Sequence, residues 1–160
     1  MSLLALVTSL LIGHQTQPHK KEFMQKYGCQ LHNIVKTTEY KDVEPAILAH
    51  AALESDWGRA SWVEKRKQLF AYLDRDILLG KKQAKKHWHE YLKEFSSFKE
   101  SFSAQMEYYS RNHYPLTQEK FISFFKKSGY ALDPLHSDKI SRASNQFKDL
   151  INQYCGAEND

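Results

Sequence analysis

Glu54, near the end of the apolar helical run within VEPAILAHAALESDWGRA (residues 43–60), has the surroundings that a proton donor needs. Ile47, Leu48, Ala51 and Ala52 recur at the three- and four-residue spacing of one helix face, and the alanines let a second element approach closely. Asp42, Glu44 and Pro45 supply a helix start. Glu54 then falls near the C-terminal end of the helix, where the macrodipole disfavours negative charge and Leu53 and Trp57 can exclude water. Both effects favour a protonated carboxylic acid, the form that hands a proton to a leaving oxygen. A solvated helix-end glutamate has the same spacing, so pattern alone leaves both readings open.

The motif itself resembles the catalytic helix of the bacterial β-N-acetylglucosaminidase family that cuts peptidoglycan, in which an alanine-rich run leads into ALESGWG. Ala52, Leu53, Glu54, Ser55, Trp57 and Gly58 match, and Asp56 replaces a glycine. Asp56 puts a second carboxylate two residues from the first, which either acts on Glu54 or points to solvent. Further on, Gln68-Leu69-Phe70-Ala71-Tyr72 resembles the family's NLFGIK, with Leu69 and Phe70 matching and Ala71 standing in place of glycine. A second block, beginning at Gly129, resembles GYATDPNYANKI through Tyr130, Ala131, Asp133, Pro134, Lys139 and Ile140. The family's active-site tyrosine after the Asp-Pro step is His136 here, an imidazole able to donate, accept or carry charge.

The resemblance covers residues 43–140 and implies a mainly α, lysozyme-like domain with a small or reduced β-hairpin lobe. It implies Glu54 as general acid and a second acidic residue on the lobe. Asp76, four residues before Gly80, is the candidate, with Asp74 and Glu90 as rivals. It further implies Trp57, Phe70, Tyr72 and Tyr130 as substrate-binding residues and His136 beside the chemistry. Retaining glycosidases hold two carboxyls about 5 Å apart and inverting ones about 6.5–9.5 Å, while some enzymes on N-acetylated sugars use the substrate's acetamido group. Such hydrolysis calls for no metal or organic cofactor.

The elements that must position these residues follow from the rest of the chain. Length 160 with 41% hydrophobic and 13% aromatic residues suits one domain, residues 1–160, with a real core. Phe23, Met24, Tyr27, Leu31, Ile34 and Val35 predict one bent helix or two short ones around Gly28. The stretch 92–109 resembles the family's next block, an aromatic, a serine-containing turn and an amphipathic helix with Ser101, Phe102, Met106 and Tyr109 that packs beside the catalytic one, and the region 81–95 reads more as helix than hairpin. Thr117 and Glu119 open another helix through Phe121, Ile122, Phe124 and Phe125. A last helix from Pro134 to about Tyr154, capped by Asp133, closes the domain. Cys29 and Cys155 form either one disulfide between first and last helices or two buried thiols.

A net charge of +4 is too mild to argue for nucleic acid and suits an anionic polymer such as the cell wall. The run Ser2 to Ile12 lacks a preceding Lys or Arg and is shorter than the roughly 20 residues a membrane span needs, so it reads as a first helix ended by Gly13. The expected setting is then synthesis in the cytoplasm without a clear signal peptide and action in the periplasm or wall of a target cell. Eight histidines show no HExxH spacing, and His87-Trp88-His89-Glu90 is the single tight group. No phosphate-binding glycine loop or GxSxG is present. The reading is a peptidoglycan hydrolase cutting after N-acetylglucosamine, used as an antibacterial effector with a cognate immunity protein. The alternatives are a phage lysis or virion muramidase and an inactive wall-binding module.

Overall fold

The computed structural model describes residues 17–73, 92–127 and 135–156, and these are mainly helical. Helix α1 (Pro18–Phe23) starts on its proline and runs through a π-helical turn (Met24–Gly28) into α2 (Cys29–Val35). The expected interruption at Gly28 is thus a wide turn within one helical run. It brings Phe23, Met24, Tyr27, Leu31 and Val35 onto the buried side. Gly28 leaves room for the Met24 side chain, whose sulfur would lie 2.6 Å from a Cβ at that position.

After a 3₁₀ turn (Lys41–Val43), α3 (Glu44–Glu54) opens with Pro45 in its first turn. Every residue from Ala46 to Ala52 is buried, so the helix is enclosed on all sides rather than amphipathic. The small side chains make that possible: four of the seven enclosed residues are alanine, which lets neighbouring helices close in. At its N-terminal end, Glu44 Oε1 meets His32 Nδ1 at 2.5 Å and ties α3 to α2. Burial pushes the Glu44 carboxyl up from its ordinary range, and the His32 contact opposes that push.

Helix α4 (Trp62–Arg66) is short. Beyond it Leu73 and Leu92 form an antiparallel bridge, and the Lys93 amide donates to the Tyr72 carbonyl at 2.9 Å. The buried Gln68 braces this junction, accepting from the Tyr72 amide at 2.6 Å and donating to the carbonyls of Tyr72 and Lys93. The chain at 92–96 is therefore extended where the reading of 81–95 expected helix, and the helix expected after the serine-containing turn starts at Phe98. There α5 (Phe98–Arg111) is capped by Ser97, whose hydroxyl accepts from the Glu100 amide at 3.2 Å. Glu100 in turn accepts from the Ser96 amide and hydroxyl at 2.8 and 2.6 Å. Residues 74–91, expected to carry the lobe with Asp76, lie outside the described residues.

Helix α6 (Gln118–Lys127) follows, with Phe121 and Phe125 buried. The last helix, α7 (His136–Tyr154), starts two residues later than expected, with Leu135 at the cap position, and Asp133 lies outside the described residues. Ile140, Ala143, Phe147, Leu150 and Ile151 face the core, and α7 makes the most extensive packing with α3. Cys29 and Cys155 are joined by a disulfide with Cα atoms 5.3 Å apart, resolving the two readings of the sequence in favour of the bond. The described helices share one hydrophobic core, with α3 at its centre. Among the described residues no helix is long and apolar enough to cross a membrane. The stretch Ser2 to Ile12 lies outside the described residues.

Candidate active site

Helix α3 stops where three consecutive residues turn left-handed, Asp56 (φ 50°), Trp57 (φ 57°) and Gly58 (φ 78°). Backbone bonds close the turn, with the Trp57 amide donating to the Ala52 carbonyl at 2.6 Å and the Ala60 amide to the Ser55 carbonyl at 3.0 Å. Buried Ser55 completes it by donating to the Ala51 carbonyl at 2.6 Å and accepting from the Gly58 amide at 2.9 Å. Gly58 is obligatory on two grounds. Its φ is one that side chains rarely adopt, and a Cβ would sit 2.5 Å from the Tyr27 ring. The serine and glycine of the motif are thus structural, and their work is to end the helix at Glu54.

Asp56 stands where the resembled motif has glycine, and the backbone keeps the glycine-like conformation. Its carboxylate faces outward and pairs with Arg59 at 2.8 Å, so of the two sequence readings the solvent-facing one holds. Ala71, the other replaced glycine, also adopts a left-handed φ of 50°. Both residues hold a left-handed backbone at the expense of local strain.

Glu54 keeps 19% of its side chain exposed at the end of the buried helix, and two imidazoles flank its carboxyl. His50 Nε2, one turn earlier on α3, lies 3.6 Å from Oε1. His136 Nε2, at the first residue of α7, lies 3.5 Å from the same oxygen. The side chain of His136 is 14% exposed and that of His50 fully enclosed. His50 was not singled out from sequence, although its position four residues before Glu54 places both on one helix face. His50 Nδ1 is 2.7 Å from the Tyr109 hydroxyl oxygen, and its ring packs on Phe70 and Phe125. Burial, and then the neighbouring Tyr114, hold the Tyr109 phenol well above its ordinary range, so it remains an O–H.

The other expected site residues divide. Phe70 is buried beneath His50 and also meets Phe102 and Tyr109, so it forms part of the floor of the site. Tyr72 is half-buried beside Phe95 and Tyr108 at the base of the antiparallel pairing. Trp57 is taken up in packing: its ring stacks on Phe147 at 5.4 Å, with Phe23 and His19 at its edges and the Lys20 ammonium 5.4 Å from its centroid. Asp76 and Tyr130 lie outside the described residues.

A mainly helical body with one carboxyl at the tip of a buried helix fits a lysozyme-like glycoside hydrolase domain. The chain belongs to the glucosaminidase family, described as mannosyl-glycoprotein endo-β-N-acetylglucosaminidase, which matches residues 22–149. It is a glycoside hydrolase acting on peptidoglycan. No match was found among curated proteins or among solved structures.

Proposed function

We propose that Glu54 is the general acid that protonates the glycosidic oxygen leaving C1 of N-acetylglucosamine in the peptidoglycan strand. The observation that carries this reading is the position of its carboxyl, at the last residue of an enclosed helix yet open to solvent. Proton transfer to the leaving oxygen accompanies breakage of the C1–O bond, and water completes the hydrolysis at C1. His136 and Tyr72 bind the sugar beside the carboxyl, and His50, held by Tyr109, is a positioning residue for Glu54. Asp76 is the proposed second carboxylate; it falls in sequence between the paired segments at Leu73 and Leu92, which supports a lobe at that point. Tyr130 is proposed as a further substrate contact on the strength of the motif around it. Trp57 acts by shaping the turn after Glu54.

The Cys29–Cys155 disulfide supports work in an oxidising compartment outside the cytoplasm, and the +4 charge suits an anionic wall. In this proposal the enzyme is an antibacterial effector held in check by a cognate immunity protein. Inhibition by the product of an adjacent gene is the expected result, and a virion or lysis role replaces it if no neighbour binds. The bond is tested by digesting purified peptidoglycan, reducing the new ends with borohydride and weighing the fragments. Reduced glucosamine ends are expected. Reduced muramic acid ends would make it a muramidase, and no release from several wall types would leave a wall-binding module.

A further inference from the structure

We propose that His50 Nε2, Glu54 Oε1 and His136 Nε2 form a binding site for a divalent transition metal, with Zn²⁺ the best-fitting ion, and that the bound ion switches the hydrolase off. The three donor atoms all lie within 4.8 Å of one another. Both nitrogen-to-oxygen separations, 3.6 and 3.5 Å, exceed the roughly 2.7–3.0 Å of a charge-assisted hydrogen bond. They lie instead close to the edge of a tetrahedron. Bonds of about 2.0–2.1 Å to nitrogen and oxygen put adjacent donors about 3.3–3.4 Å apart. Two imidazoles and one carboxylate, with a fourth position left open, are a donor set that zinc accepts.

The supports are those a metal site requires. His50 and Glu54 project from one face of an enclosed helix, so their separation is fixed by α3 itself. His50 is oriented through Nδ1: with that nitrogen protonated and donating to the Tyr109 hydroxyl oxygen, Nε2 presents its lone pair toward Glu54. Tyr109 is fully buried and is itself hydrogen-bonded by Gln105, so this outer partner cannot swing away. His136 is on the first residue of α7, the end of a helix, where the small closure needed for a third bond is easiest. None of this was visible as a metal motif, because the third ligand comes from a position 82 residues beyond Glu54 (136 − 54).

The inhibitory consequence rests on Glu54 being the acid. An oxygen bonded to a metal cannot hold the proton that the leaving sugar needs, so occupancy and acid catalysis exclude one another. Metal binding itself does not depend on that reading, and the two are measured separately.

The test uses the full chain, stripped with EDTA. Zn²⁺ binding is followed by calorimetry, and Co²⁺ is used as a spectroscopic probe because a four-coordinate site gives it intense visible absorption. One equivalent is expected to bind, with affinity falling at least tenfold in His136→Gln and in Glu54→Gln. In Tyr109→Phe, which keeps the ring, loss of the outer hydrogen bond is expected to weaken binding about 10-fold. No binding, or binding equal in the wild type and both ligand variants, overturns the site. Peptidoglycan digestion by the wild type is then followed with and without one equivalent of Zn²⁺. Loss of turnover that EDTA restores is expected, and unaltered turnover by zinc-loaded enzyme overturns the switch. If the stripped protein digests nothing, the binding measurements still decide the site, and the failure belongs to the catalytic reading alone.

Discussion

The Cys29–Cys155 bond closes the chain over a sequence separation of 126 residues, joining α2 to the end of α7. It therefore removes freedom from nearly the whole unfolded chain. In the chain-entropy description a loop of this length lowers the unfolded-state entropy enough to contribute about 5 kcal/mol at 25 °C, and measured bridges commonly give about 2–4 kcal/mol. For a domain of this size each kcal/mol moves the midpoint of thermal unfolding by about 2–4 °C. The double variant Cys29→Ser/Cys155→Ser is accordingly expected to melt on the order of 10 °C lower than the oxidised wild type. Circular dichroism melts of both proteins, with and without a reductant, provide the assay. Reductant should bring the wild type down to the variant and leave the variant unmoved. Equal midpoints for oxidised wild type and variant would refute the argument, because they would mean that the unfolded chain is not constrained by the bridge.

Gly58→Ala is expected to destabilise by about 2–4 kcal/mol, since the new methyl meets the Tyr27 ring in a backbone conformation that disfavours side chains; urea titration measures it. Ala71→Gly should change the urea midpoint little, because relief of about 1 kcal/mol of left-handed strain is offset by a freer unfolded chain. Hydrogen bonds from Lys26 and Tyr27 hold the Glu64 carboxyl down at about 2. A depressed carboxyl gives stability that is present above its unfolded value of about 4.3 and lost as pH falls toward 2. Glu64 is about half exposed, so solvent screening limits this to on the order of 1 kcal/mol or less. Melting curves of wild type and Glu64→Gln should therefore differ above about pH 4.5 and converge near pH 2.

Much of this arrangement is legible in the residues. The run of small and apolar residues before Glu54 specifies a helix that can be enclosed, and the Ser55 and Gly58 positions encode its termination. What periodicity misread was the extent of enclosure: apolar spacing suggested one buried face, whereas alanine size let other elements cover all of them. His50 escaped notice because an isolated histidine on an apolar helix looks like core, and its role depends on His136 arriving from α7. Trp57 is the converse case. An aromatic next to a catalytic motif suggests a sugar platform, yet its ring is sandwiched into the packing between α1 and α7. The extended start at Leu92 was hidden because its apolar neighbours also satisfy helical spacing, and only the pairing with Leu73 and the bracing by Gln68 decide for strand.

The central claim is that the carboxyl of Glu54 supplies the proton for glycosidic cleavage. The direct measurement is the rate of fragment release from purified peptidoglycan by metal-free wild type and Glu54→Gln, with the circular dichroism melt of each confirming that both are folded. Gln fills the same space and cannot donate an acidic proton, so a loss of at least about 100-fold is predicted with little change in melting. A folded Glu54→Gln protein that digests the wall at a rate near that of the wild type would contradict the account.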